Sequence, residues 1–360
     1  MNVLHIGYIR NTKQSGVAVV VPKYLEIQSK HNDITCALCN LCSYDLGEKD
    51  GEYSVYFEND FSRLPEPFNK PDIIVFHEIY RKQFIKLYKL ALKNNIPYII
   101  VPHGSLTNNA QNHKKIKKIF GNFLLFNGFI KNASCIHFLS NYEYRESQKF
   151  NFKDYFILGS GIDYPLNLPR NKKENILLYI GRLDLKIKGL DLLIEAINLI
   201  QDEIRKHEFR VEVYGPNYEN TKEEMQRMIE LYKINDIFLI KEPIFGTEKA
   251  KIYQKSYAFL QLSRTEAQCL GVMEAMAYGL PAIVTEGSTF LSTVVENELG
   301  YGVSYNPNEI AETIKKIIKE KKKSELFGAN ASNYILKKYN WEKIGNKQYE
   351  EYSKLVGDKK

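Results

Sequence analysis

The amino-acid sequence predicts an α/β protein of two doubly wound domains, each a parallel sheet covered on both faces by helices. Three observations carry this expectation. The chain has 360 residues, a length that suits about two domains. Short apolar runs alternate with helical patterns from end to end, as in parallel strands joined by crossover helices. One polar, proline-containing stretch, residues 164–174, breaks that rhythm near the middle and reads as a linker.

Taken in order, strands are expected over residues 2–7, 34–40, 72–76, 97–101, 134–139 and 155–158 before the linker. After it they are expected over 176–180, 209–214, 236–240, 257–261, 281–284 and 301–304. Residues 188–200 typify the helices between them, with Leu190, Leu192, Leu193, Ala196, Ile197 and Ile200 at helical spacing. After residue 315 only helical patterns remain. Two such sheets would leave a cleft between their carboxyl ends, where doubly wound folds bind ligands.

Hydrophobic residues make up 44% of the chain and charged residues 26%, ordinary globular values that allow two full cores. No apolar run approaches the ~18 residues that would span a bilayer. The start, Met1-Asn2-Val3-Leu4-His5-Ile6-Gly7, reads as a first strand rather than a signal peptide, since it lacks a charged segment and a cleavage site. A cytosolic chain is expected. The net charge is +7, and residues 1–170 hold 21 Lys and Arg against 15 Asp and Glu, the remainder 29 against 28. Such a first half suits an anionic partner, nucleic acid or a membrane surface. Without a recognisable RNA or DNA module, nucleic acid is disfavoured.

Cys36, Cys39 and Cys42 have the spacing of an iron–sulfur run, but Asp45 and Leu46 stand where the fourth ligand and its proline belong. The stretch reads instead as a buried strand in which cysteine is a small hydrophobe. Five cysteines in such a chain make no disulfide framework.

Chemistry concentrates in residues 264–284. Glu266 and Glu274 are separated by seven residues. Glu274 falls in a short small-residue helix that Gly279 can close in the left-handed conformation and Pro281 stops. The apolar strand Ala282-Ile283-Val284 follows. This order aims both carboxylates at one mouth of a parallel sheet, where they can accept hydrogen bonds from sugar and ribose hydroxyls. Earlier, Gly181-Arg182-Leu183 and Lys188-Gly189 flank a loop that opens a helix. Two cations and the amides of a helix start can hold a diphosphate there and neutralise it as it departs.

The Glu-x7-Glu pair, preceded by Gly-Arg-Leu and Lys-Gly, resembles the signature of the retaining glycosyltransferases of family 4, which have the GT-B fold: two Rossmann-like doubly wound domains facing across a cleft. The resemblance implies an acceptor-binding domain over residues 1–165 and a nucleotide-sugar-binding domain over 172–340. It also implies a last helix, about 341–360, that packs back on the first domain. Glu274 would bind the ribose, Glu266 and nearby amides the donor sugar, and Arg182 and Lys188 the leaving diphosphate. Gly215, Cys269, Leu270 and Gly271 join Glu274 in the implied donor-binding set.

Asn11-Thr12-Lys13-Gln14-Ser15-Gly16-Val17 resembles the family's Gly-Gly-Val loop with Ser15 in place of the first glycine; Gly16 would let the backbone approach a phosphate or acceptor. Pro102-His103-Gly104 ends a strand as a similar segment does in the family, and implies that His103 orients the donor sugar. Gly159-Ser160-Gly161-Ile162-Asp163 resembles Pro-Asn-Gly-Ile-Asp with its first two residues replaced. Cys269 stands where the family often has glycine, which leaves the donor-sugar preference open. Asp-x-Asp is absent from the sequence, so protein cations rather than a metal are expected to hold the diphosphate, with no cofactor beyond the donor.

Two segments carry double meanings. Ser140 and Glu143 fit the family's Ser-x-x-Glu segment, yet are better read as a capping box whose side chains satisfy amides at a helix start. Residues 113–126 interleave lysines with Ile116, Ile119, Phe120, Phe123, Leu124, Leu125 and Phe126. They either lie on an anionic membrane or turn their apolar side into the core. The protein that the family resemblance implies is a retaining glycosyltransferase that moves a hexosyl group from a nucleotide diphosphate sugar to a saccharide, carried on lipid, in bacterial surface-polysaccharide assembly such as capsule or O-antigen. No covalent nucleophile is assigned. The rivals are a nucleotide-sugar epimerase of the same fold and a non-catalytic subunit supporting a partner transferase; the presence of both cations and Glu266 disfavours the second.

Overall fold

The structure, a computed structural model, describes all residues except 11–15, 43–52, 113, 164–172, 267 and 358–360. Most of the expected linker, the loop before Gly16 and His113 therefore lie outside the described residues. The chain divides into two compact units, Met1–Gly161 with Trp341–Lys360, and Ile162–Asn340.

The first unit holds seven parallel strands: β1 Asn2–Gly7, β2 Thr35–Asn40, β3 Ser54–Tyr56, β4 Ile73–His77, β5 Tyr98–Val101, β6 Cys135–Phe138 and β7 Tyr155–Ile157. Their order is β3-β2-β1-β4-β5-β6-β7. β4, β5 and β6 are buried along their whole length, which is why they read as unbroken apolar runs rather than as an alternation. Leu4, Ile6, Ile74, Phe76 and Ile100 pack on one face of the sheet. Val3, Val75, Ile99 and Val101 pack on the other.

The helix Trp341–Gly357 belongs to this unit and lies against the helix Gly16–Ser29. A Cβ on Gly345 would come 2.3 Å from Ile27 Cγ2, so glycine lets the two helices meet. Cys36, Cys39 and Cys42 are free and buried. Burial pushes the Cys36 thiol up to about 12 and the Cys39 thiol up to about 11, as suits packing residues.

The second unit holds six parallel strands: β8 Ile176–Ile180, β9 Arg210–Tyr214, β10 Phe238–Lys241, β11 Ala258–Gln261, β12 Ala282–Thr285 and β13 Gly300–Val303. Their order is β10-β9-β8-β11-β12-β13. In each sheet the strand order reverses beside the first strand, at β1–β4 and at β8–β11. Such a reversal opens a crevice at the carboxyl ends.

Every expected strand forms, with ends shifted by at most two residues. β3 was not expected: three partly exposed residues at a sheet edge show neither alternation nor an apolar run. The helix expected over 188–200 starts only at Leu190, because Gly189 takes φ 65°. The helix Leu270–Ala277 closes as anticipated. Gly279 has φ 75°, its N–H reaches Met276 O at 2.9 Å, and Leu280 N–H reaches Ala275 O at 3.1 Å.

For residues 114–126 the structure rejects the core reading. The helix Lys115–Gly121 contains no buried residue, and a π-helical turn, Asn122–Phe126, follows it. The wider turn re-phases the chain, so Phe126, Phe129 and Ile130 enter the core while the preceding apolar residues face solvent. Ile116 is 74% exposed, Phe120 63%, Phe123 79% and Leu124 70%. Lys118 departs from its neighbours, since its ammonium turns back to Ala110 O and sits 5.1 Å over the Tyr80 ring. Among the described residues no helix is long and apolar enough to cross a membrane.

Candidate active site

In the second unit, two loops leave adjacent strands at the β8–β11 reversal. In the loop after β8, Asp184 accepts the Ile187 N–H at 2.9 Å with one oxygen and meets the Arg182 guanidinium at 3.0 Å with the other. Arg264, in the loop after β11, joins the two loops. Its N–H donates to Ile187 O at 2.8 Å and its guanidinium to Lys186 O at 2.5 Å. The same guanidinium grips Asp191 through both oxygens, at 2.8 and 3.0 Å. Burial alone would raise the Asp191 carboxyl, but Arg264 and Lys186 outweigh it and hold the group below the usual range. A Cβ on Gly189 would fall 1.9 Å from Leu262 O, so only glycine allows this approach.

The joined loops bring Lys188 Nζ to 2.5 Å from Glu266 Oε1. That oxygen also accepts from Gln261 Nε2 at 2.9 Å and Ser263 Oγ at 2.7 Å. Arg182 stays outside this cluster, ion-paired to Asp184 with its guanidinium 4.3 Å over the Tyr218 ring. Glu274 lies in the second turn of its helix, where Oε2 accepts from Tyr253 O–H at 2.9 Å and pairs with Lys249.

Two of the remaining residues expected at the donor site are glycines at close backbone approaches. A Cβ on Gly215 would fall 1.7 Å from Gly181 O, so its absence lets the turn after β9 touch the turn after β8. A Cβ on Gly271 would meet Ile180 O at 3.3 Å. The Cys269 side chain is buried 3.2 Å from Ser288 Oγ, and burial pushes its thiol up to about 11; only its backbone is available to a ligand. The Leu270 N–H already donates to Gln268 O at 3.0 Å.

The structure thus joins Lys188 to Glu266 and leaves Arg182 and Glu274 in contacts of their own. Gln261, Ser263, Arg264, Asp191, Lys249 and Tyr253 escaped sequence reasoning. For Asp191, an acid in the first turn of a helix was a usable signal.

In the first unit, His103 follows β5 at φ 49° and Glu78 follows β4 at φ 74°, two left-handed non-glycine residues on neighbouring strands. The Gly104 N–H donates to Glu143 Oε1 at 2.5 Å and the Leu139 N–H to Glu143 Oε2 at 2.7 Å. The Ser140 side chain caps the helix it precedes, as expected. Ser140 Oγ accepts the Glu143 N–H at 3.1 Å, and the Glu143 carboxyl ties the His103–Gly104 turn to the end of β6. Burial pushes that carboxyl up to about 7, against the pull of its two N–H donors.

His103 Nε2 lies 3.1 Å from His77 Nδ1, His77 Nε2 lies 2.9 Å from His5 Nδ1, and His5 Nε2 lies 2.8 Å from Gln28 Oε1. Burial pushes His5 down to about 4 and His103 to about 3, and His77 well below the usual range. His5 and His77 were not expected as site residues. Gly16 is the exposed first residue of its helix.

Residues 164–334 match the family model of the glycosyl transferases group 1. A poly(ribitol-phosphate) alpha-N-acetylglucosaminyltransferase of Staphylococcus aureus is 26% identical over 181 residues, which are 49% of this chain and 35% of the relative. The chain thus spans about a third of that curated relative's length. Among solved structures, sucrose-phosphate synthase from Thermosynechococcus elongatus superposes with a TM-score of 0.76 at 17% identity, covering 99% of this chain and 100% of the other. HepE of Anabaena, in complex with UDP-glucose, gives 0.74 at 14% identity over 98% of this chain and 100% of the other. Two parallel sheets with matching order reversals and a group 1 match across the second of them lead to one assignment: residues 164–334 are similar to the glycosyl transferases of group 1, and the chain has the GT-B fold.

Proposed function

We propose that the protein is a retaining glycosyltransferase that moves a hexosyl group from a nucleotide diphosphate sugar to a saccharide acceptor. The contact of Lys188 with Glu266 at the β8–β11 reversal carries this reading. It puts a cation that can neutralise a departing phosphate beside a carboxylate that can accept sugar hydroxyls. Arg182 follows the same strand and adds a second cation, while Glu274, steadied by Lys249 and Tyr253, is offered to the ribose. The solved structure of HepE with UDP-glucose supports a nucleotide sugar as the donor.

Incubation with a panel of nucleotide sugars tests this. One donor class should release its nucleoside diphosphate, faster when a saccharide acceptor is added. Conversion of the sugar with the nucleotide still attached would replace the transferase by an epimerase. Binding without turnover would leave a non-catalytic subunit.

The acceptor is carried on lipid, in surface-polysaccharide assembly, and the segment 114–126 holds the enzyme at an anionic membrane. Solvent-facing Ile116, Phe120, Phe123 and Leu124 beside Lys114, Lys115 and Lys117 support this part. Apolar side chains of such a helix dip below the headgroups, and each lysine near the surface contributes about 1 kcal/mol. Salt shortens the Debye length from about 10 Å at 0.1 M to about 3 Å at 1 M. The protein is therefore expected to float with anionic vesicles at low salt and to detach at high salt. A Lys114→Gln, Lys115→Gln, Lys117→Gln, Phe123→Ser, Leu124→Ser variant should stay in the soluble fraction and keep hydrolysing the donor. Flotation equal to wild type would reject the membrane role.

A further inference from the structure

Among the histidines of the first unit the family resemblance gives a role to His103 alone, yet His103 is the outer end of a hydrogen-bonded chain. The chain runs from Gln348 through Gln28, His5 and His77. Gln28 Nε2 donates to Gln348 Oε1 at 2.9 Å, so Gln28 Oε1 faces His5 Nε2. A carbonyl oxygen only accepts, and a neutral imidazole has one N–H and one bare nitrogen. Each link therefore decides the next. His5 holds its hydrogen on Nε2 and is bare at Nδ1. His77 then donates from Nε2 to that bare nitrogen and is itself bare at Nδ1. His103 in turn donates from Nε2 to His77 and is left bare at its own Nδ1.

Packing keeps the rings from turning over. His77 stacks on His5 at a centroid distance of 5.2 Å and on Tyr24 at 6.3 Å. The Tyr24 ring lies against His137 at 6.1 Å and edge-on to Trp341 at 5.7 Å. Burial keeps the three imidazoles neutral, and a second hydrogen on His5 or His77 would set two N–H groups against each other.

We propose that His5 and His77 are positioning residues that fix the tautomer of His103, so that His103 meets its ligand with a bare Nδ1. A bare ring nitrogen accepts a hydrogen bond; it cannot donate one. Within the glycosyltransferase reading, on which this point rests, His103 can then accept from a ligand hydroxyl and gives nothing to a phosphate oxygen.

Protein labelled with ¹⁵N-histidine and observed through long-range ¹H–¹⁵N couplings at pH 7.5 tests the chain directly. Single histidine substitutions assign the signals. His5, His77 and His103 should each show one tautomer with the hydrogen on Nε2. A hydrogen on His103 Nδ1, or a mixture at any of the three, overturns the proposal. In Gln28→Leu the terminal acceptor is gone and His103 should become a mixture of tautomers, whereas Gln28→Glu, which still offers an oxygen, should restore one. A single unchanged His103 tautomer in folded Gln28→Leu would show that the chain does not set it. These spectra need no donor, so their failure is distinct from failure of the transferase reading, which the nucleotide-sugar panel decides.

Discussion

Lowering the pH from 7 to 5 is expected to unfold the first unit while the second stays folded. His5, His103 and His137 are pushed down to about 4, 3 and 4, and His77 lies well below the usual range, in each case chiefly by burial. A histidine with a depressed folded-state value binds no proton in the native unit but binds one when unfolded. Its contribution is therefore intact above the unfolded value of 6.5 and is lost as the pH falls towards 4. Glu143, raised to about 7, works the other way and gains over the same interval. Four histidines against one glutamate leave a net loss on the order of 5 kcal/mol at pH 5 by linkage, comparable with the whole stability of a typical domain, about 5–15 kcal/mol.

The second unit has a single histidine, His207, which is partly exposed. The only tryptophan, Trp341, lies in the first unit against Tyr24. Its fluorescence should change between pH 6.5 and 4 while much of the far-ultraviolet circular dichroism persists. Coincident loss of both signals would refute independent acid unfolding.

Replacing either cation of the second unit should slow donor turnover by about 10²–10³, the usual cost of losing a preorganised group where charge develops. The two positions differ in their effect on folding. Arg182 is partly exposed and pairs with Asp184 at the surface, a contact worth about 0–1 kcal/mol. Arg182→Ala should therefore melt close to wild type and fail only in catalysis. Lys188 is largely covered, and without it Glu266 keeps Gln261 and Ser263 but loses its cation. Lys188→Met alone should thus lose stability as well as rate. The double variant Lys188→Met, Glu266→Gln removes the stranded charge and should recover stability but not turnover. Near-normal turnover in either folded variant would reject the diphosphate role.

The architecture was legible because fully buried parallel strands leave unbroken apolar runs, as at residues 73–77 and 98–101. The short edge strand Ser54–Tyr56 has no such signal. Lys188, Glu266 and Glu274 stood out through their spacing. The joining of Lys188 to Glu266 did not, because it depends on Arg264 reaching Asp191, 73 residues away. His5 and His77 were hidden for a different reason: a histidine inside an apolar strand looks like a packing residue until the neighbouring strand supplies its partner. The exposed face of residues 115–124 could not be separated from a core face, since the two share one pattern and the π-helical turn that sets its direction leaves no mark in composition.

Glu78 and His103 occupy left-handed backbone on adjacent strands, a conformation that costs side chains of this kind about 1–3 kcal/mol each. Arg81 on the Glu78 carboxylate and Glu143 on the Gly104 amide hold the two turns in place. Glycine or asparagine would suit both positions better. Selection for thermal tolerance alone would therefore erode this end of the first sheet before it touched the interior. With His103 in the role proposed for it, a hardened descendant of the chain would fold more firmly and work less well, a stability–activity trade-off.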